Sequence, residues 1–236
     1  MTKKLFTSAL FAGLAAGLVA AVLQVWLLVP IILEAERYET GELVHFIGPT
    51  GADTQTASPS AAPADEEDGG LLMRNSLTFF MNLVTYSGFG LLLVLGFAIA
   101  ERYGHKLAPG HGVLWGIAAF VALHLAPGAG LPPELPGVPA ADLFQRQIWW
   151  VVTVLAAVVA LVFLVFVRGP VAIATAVALF IAPHLAGAPE LASFGGVAPP
   201  ELGALFAARS MTVSAVIWVT LGSVAGFVWR RSDATA

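Results

Sequence analysis

Six stretches of this chain are continuously apolar over nearly the length of a membrane crossing: Leu5–Leu33, Leu77–Ala100, Gly112–Pro127, Ile148–Val167, Val171–Ala186 and Met211–Trp229. A helix needs about 20 such residues to cross the hydrocarbon core. In lipid, only helices and closed barrels satisfy their own backbone polar groups. The runs do not alternate apolar with polar residues, which excludes barrel strands. The expected fold is therefore an all-α integral membrane protein, one polytopic domain over residues 1–236. The third and fifth runs are short, so five spans is the alternative to six. Hydrophobic residues make up 58% of the chain and charged residues 11%, against about 25% charge in soluble domains. Without cysteine, the chain has neither disulfides nor thiolate metal sites.

Positive charge sets the expected orientation. With the N-terminus inside, Lys3, Lys4, Arg102, Lys106, Arg168, Arg230 and Arg231 are cytoplasmic, and only Arg37, Arg74, Arg146 and Arg209 lie outside. Both termini are then cytoplasmic. The Lys3-Lys4 start resembles a signal peptide. Its apolar region, however, runs to Leu33, past the roughly 7–15 residues of a signal core, so a retained helix is expected. Between the first two runs lies Gly48–Gly70, rich in Pro, Ala, Ser and Thr and ending in the acidic run Asp65–Asp68. It reads as a flexible extracytoplasmic loop.

A pattern recurs three times between the apolar runs. An apolar stretch enters a segment bearing Pro and Glu, and an arginine opens the next stretch. The first copy passes through Pro30 and Glu34 to Arg74. The second reads HLAPGAGLPPELPG from His124, then LFQR ending at Arg146. The third reads PHLAGAPEL from Pro183, then LFAAR ending at Arg209. These are expected to be three hairpin-like pseudo-repeats whose polar groups gather at one end of the bundle.

Within the helices, Gly13/Gly17 and Gly222/Gly226 form GxxxG pairs, the usual surface for close helix contact. On the second helix Asn75, Thr78, Asn82 and Thr85 or Tyr86 share a face that must avoid lipid. With Gln24, Asn75 and Asn82 either bond neighbouring helices or line a hydrated path. His124 and His184 occupy matching positions of the repeat, and Glu134, Glu190 and Glu201 follow them. Imidazole suits cobalt, nickel and zinc, with carboxylates as harder ligands. Two readings stand: a site of two or three protein ligands completed by water, or histidines that only bond backbone freed by the adjacent prolines. Arg146 and Arg209 are expected to pair with carboxylates or carbonyls of the Pro-rich segments; interfacial anchoring is the alternative.

Several chemistries have no motif here. GxxxxGK[ST], HExxH and GxSxG do not occur, so the chain carries no P-loop nucleotide site, zinc-protease helix or nucleophile elbow. No catalytic residues and no permanently bound cofactor are assigned, and nothing suggests nucleic acid.

The opening KKLFTSALFAGLAAGLVAAVLQVWLLVPIILEAERYE, together with HLAPGAGLPPELPG and PHLAGAPE, is similar to the CbtA family of predicted cobalt transporter subunits. The resemblance covers essentially the whole chain, with Gly48–Gly70 as its variable part. It implies cobalt (Co2+) uptake in a prokaryote, connected with cobalamin synthesis. It also implies a small single-span partner, CbtB, with a histidine-rich end. His124, Glu134, His184 and Glu190 match the family motif, and their role as metal ligands is inferred from their chemistry. The family is described with five spans, against the six counted here. The expected function is the membrane subunit of a cobalt or nickel importer. A non-transporting scaffold and a permease for a small organic solute are the alternatives.

Overall fold

The computed structural model describes residues 2–44, 67–108, 110–191 and 196–234. Each of the six apolar runs forms a helix: α1 (Thr2–Glu39), α2 (Glu67–Arg102), α3 (His111–Gly128), α4 (Leu143–Val167), α5 (Pro170–Ala186) and α6 (Pro200–Ala234). No strand occurs among the described residues. Five helices are long and apolar enough to cross a membrane, and α5, with 17 residues, is shorter. Of the loop expected over 48–70, positions 48–66 lie outside the described residues. Glu67–Gly70 form the first turn of α2.

Local chemistry sets several helix ends. Asp142 caps α4, its carboxylate accepting from the Gln145 N–H at 3.0 Å. Pro170 opens α5, where a missing N–H costs nothing. Left-handed Gly187 ends α5 at φ 86°. The helices also outrun their apolar cores. α1 has 38 residues, about 57 Å at 1.5 Å each, against a hydrocarbon core of about 30 Å. Hydropathy marks what crosses lipid, and helical hydrogen bonding continues into water.

Consecutive helices run antiparallel. Gly13 of α1 meets Ser87 of α2, and Gly17 meets Leu83. On the other side of α1, Lys4 lies near Trp229 and Leu27 near Arg209, both in α6. One end of the bundle, here called proximal, therefore holds Lys4, Glu101 and Trp229. The distal end holds Arg74, Glu134, Arg146, His184 and Arg209.

Two glycine seams set the closest approaches. A Cβ at Gly116 would overlap the Trp218 carbonyl, and one at Gly226 would lie 2.7 Å from the Gly112 Cα. Gly13 and Gly17 make the corresponding seam against α2. The sequence pairs at Gly13/Gly17 and Gly222/Gly226 thus mark true helix contacts. Gly112/Gly116, a third GxxxG, completes the second seam. Helix pairing goes beyond successive neighbours: α1 packs on α2 and, across the bundle, on α6, α3 packs on α6 through its glycine seam, and α4 packs on α5. The resulting four-helix core buries Val94, Phe97, Ile217, Leu221 and Trp229 with a row of α1 alanines.

The distal end has its own small core. Ile31 and Ala35 of α1, Phe206 of α6 and Leu135 of the Pro-rich loop bury one another there. The α1 and α6 overhangs thus clamp the loop that follows α3.

Candidate functional site

Prolines break the distal helices in a regular way. α1 widens to a π-helical turn at Gln24–Leu28, two residues before Pro30. α3 does the same at Val121–Leu125, two residues before Pro127. Proline has no N–H to donate, so the ladder must rearrange around it. The turns present Gln24 and His124, and they leave carbonyls for other partners. Arg209 Nη1 takes one of these, donating to the Leu27 oxygen at 3.1 Å. Its partner therefore lies in α1, not in the Pro-rich segment preceding it.

Gln24 and the polar face of α2 form a cleft of about 410 Å³, lined also by Arg74, Thr78, Asn82 and Thr85. Asn82 is buried and donates to Gln24 Oε1 and to the Thr78 carbonyl, both at 2.8 Å. Both protons of its amide nitrogen are then used, and Oδ1 remains as an acceptor. Asn75 is not among the lining residues; its Oδ1 is buried without a hydrogen-bond partner. Arg74 pairs with Glu36 of α1 at 3.2 Å.

His124 is half-buried between α3 and α6. Its Nδ1 accepts from the Trp218 indole N–H at 3.2 Å, and its ring lies 6.2 Å from that of Phe120. A neutral imidazole has one lone pair and one N–H. With the lone pair occupied, Nε2 carries the proton and donates. Ligation of a metal at either nitrogen therefore requires release of Trp218. His184 sits on the last turn of α5, edge-on to Trp149 at 5.6 Å and 68°. The Trp149 N–H bonds the neighbouring Pro183 carbonyl at 3.2 Å, not the imidazole. His184 thus has a tryptophan neighbour that leaves its nitrogens alone.

Glu134 is held by Arg146 in an ion pair at 2.6 Å, each side chain more than two-thirds buried. Glu190 is exposed beyond α5. His124 and His184 share the distal end but have different neighbours. Among the described residues, no three His, Cys, Asp or Glu side chains form a group able to hold a metal. The tryptophans at positions 149 and 218 were not among the residues singled out from sequence. A Trp within an apolar run was the available signal, because a buried indole N–H needs an acceptor. At the proximal end the same holds for Trp229, whose N–H bonds Glu101 at 2.7 Å with Lys4 over its ring at 3.7 Å.

A family model described as probable cobalt transporter subunit (CbtA) matches residues 2–230. No curated protein and no solved structure matches the chain.

Proposed function

As the chain belongs to the CbtA family of probable cobalt transporter subunits, we propose that it is the membrane subunit of a cobalt importer, with nickel as a second cargo. In this reading the distal end faces outward and both termini are cytoplasmic in a prokaryotic inner membrane. A small single-span, histidine-rich protein is its partner. Energy comes from a gradient, the membrane potential or that partner, since the sequence has no P-loop.

One observation carries the reading within the site. Two prolines and two π turns concentrate polar groups at the distal end of a bundle whose core is otherwise apolar. In lipid, irregular backbone is tolerated where it is buried in protein or lines a cavity, and such breaks supply carbonyls for ions. His184 and Glu190 receive the ion first, since the imidazole is not bonded by its tryptophan. His124 and Glu134 complete the shell once Trp218 and Arg146 release them. The Gln24–Asn82 cleft offers amide oxygen to the hydrated ion. A weak site of this kind suits transport, because the ion must leave again.

The test is radioactive cobalt uptake by cells expressing the chain with and without its single-span partner. The His124→Ala, His184→Ala double variant should keep its fold and lose uptake. Unchanged uptake in that variant removes the histidine site. A non-transporting accessory role is the second reading, favoured by the Trp218–His124 bond, which gives that histidine a packing duty. Cobalt uptake by the chain alone in lipid vesicles would exclude it. Because the chain has no cysteine, single cysteines at positions 134 and 201 test orientation, and labelling from outside is expected.

A further inference from the structure

α4 leaves a gap in the bundle. It rests on α3 over the distal stretch Val121–Gly128, and at the proximal end Phe166 meets the His105 ring at 4.8 Å. Between these two supports, α2, α3 and α4 enclose a groove of about 480 Å³. Ala118, Ala119 and Ala122 of α3 form its floor, and Trp218 of α6 reaches in from behind. Small side chains keep that floor deep, and the walls are leucine, valine and phenylalanine. A groove of this kind within a membrane is filled by lipid or by another helix.

Its titratable side chains, Arg168 and His111, lie at the proximal mouth. Arg168 is the one non-glycine residue at positive φ among the described residues, at 57°. It is held between the end of α4 and the Gly169-Pro170 start of α5. Strained backbone of this kind persists where surroundings demand it, often at ligand sites. Its guanidinium has no carboxylate partner among the described residues. His111 Nδ1 accepts from the Ala108 N–H at 3.2 Å, so in the neutral ring Nε2 carries the proton and donates. The adjoining connections, 103–110 and 168–170, contain Lys106 and Arg168 and no acidic residue. The mouth therefore offers donors and positive charge above a purely apolar channel.

We propose that this groove binds an anionic phospholipid of the proximal leaflet. Arg168 and His111 hold its phosphate, and an acyl chain lies along the alanine floor. Basic pockets between helices on the cytoplasmic side select such headgroups, and arginine suits phosphate because its donors form a fork. A zwitterionic lipid fills the channel equally well but brings an ammonium group toward Arg168 and Lys106. Charge at the mouth, not the apolar channel, thus makes the choice.

The test is native mass spectrometry of the delipidated full chain. It is titrated with phosphatidylglycerol, with phosphatidylcholine of the same acyl chains, and with inorganic phosphate. One phosphatidylglycerol should be retained, with phosphatidylcholine about tenfold weaker, the effect of one charge-assisted contact. The Arg168→Gln, His111→Gln double variant should bring phosphatidylglycerol down to the phosphatidylcholine level. Both side chains are exposed, so this variant should fold. Ala119→Trp should block the channel and release both lipids. Equal retention of the two lipids, or retention unaffected by the double variant, overturns the proposal. Displacement by inorganic phosphate alone overturns it in favour of a simple anion site. A dimer that Ala119→Trp abolishes overturns it in favour of a second copy in the groove.

Discussion

The second and third copies of the repeated segment share His-Leu-Ala, Pro-Glu-Leu and Leu-Phe before an arginine, yet the fold uses them differently. In the second copy, Trp218 takes the nitrogen of His124, and Glu134 takes Arg146. In the third, Trp149 bonds the carbonyl beside His184, and Arg209 crosses to the broken turn of α1. The cause is the neighbouring helix. α3 packs along α6 through a glycine seam, whereas α5 packs chiefly on α4. Equivalent side chains therefore face different partners. A repeated motif sets which groups reach one end of a membrane bundle, and packing sets what they bind.

That contrast is most exposed in the arginines. Arg146→Met should cost about 1–3 kcal/mol, because it strands a largely buried carboxylate. Arg209→Met loses a bond to a neutral carbonyl and should cost about 1 kcal/mol. Thermal unfolding in detergent measures both, and equal losses would erase the difference between the copies. Glu134→Gln added to Arg146→Met should cost less than the sum of the two, since both act on one pair.

Glycines give a smaller contrast. Gly137 in the second copy and Gly187 just after the histidine of the third copy both have positive φ, 79° and 86°. Alanine at either strains the backbone by roughly 1–2 kcal/mol. A Cβ at position 137 would meet only the carboxylate end of the exposed Glu39 side chain, which can turn away, and position 187 is open. Gly137→Ala and Gly187→Ala should therefore lower the melting temperature by similar amounts, with backbone strain acting at both. A clearly larger loss at position 137 would mean that Glu39 is held against the Pro-rich loop.

The tryptophans test the histidines directly. Trp218→Phe removes the bond to His124, worth about 1 kcal/mol, and should raise cobalt affinity roughly fivefold if that ring is a ligand. Trp149→Phe should leave affinity unchanged. Calorimetric titration separates these outcomes, and no gain from Trp218→Phe would assign His124 to packing alone. The smallest effect is expected at exposed Glu190. Glu190→Gln should alter stability by less than about 0.5 kcal/mol, so a loss of cobalt binding in it would report ligation.

Much of this was legible in the residues. Each apolar run is a helix, and the GxxxG pairs Gly13/Gly17 and Gly222/Gly226 mark real contacts. Gly112/Gly116, at the start of a short run, makes a third. The spacing of Gln24 and Asn82 left two readings, bonds between neighbouring helices or a hydrated path, and the two side chains bond each other between α1 and α2. Asn75 shares their helix face by spacing but stands outside the cleft, with its Oδ1 buried. Arg146 meets a carboxylate of its Pro-rich segment, in line with the pattern, but the partner of Arg209 was not legible. Leu27 and Arg209 lie 182 positions apart, and a backbone carbonyl leaves no mark in sequence.

The sequence by itself determined the solvent, the helices and the end at which the polar groups collect. Continuous hydropathy decides what enters lipid, and alternation of spans decides which end each connection reaches. Only the tertiary structure decided that α3 lies against α6 while α4 and α5 form a hairpin supported mainly at the distal end. Helix pairing in lipid depends on which small-residue faces fit together rather than on hydrophobicity, since lipid is as apolar as the helices. For the same reason only the packed bundle shows that the His124 ring is already bonded, while the His184 ring has no hydrogen bond among the described residues.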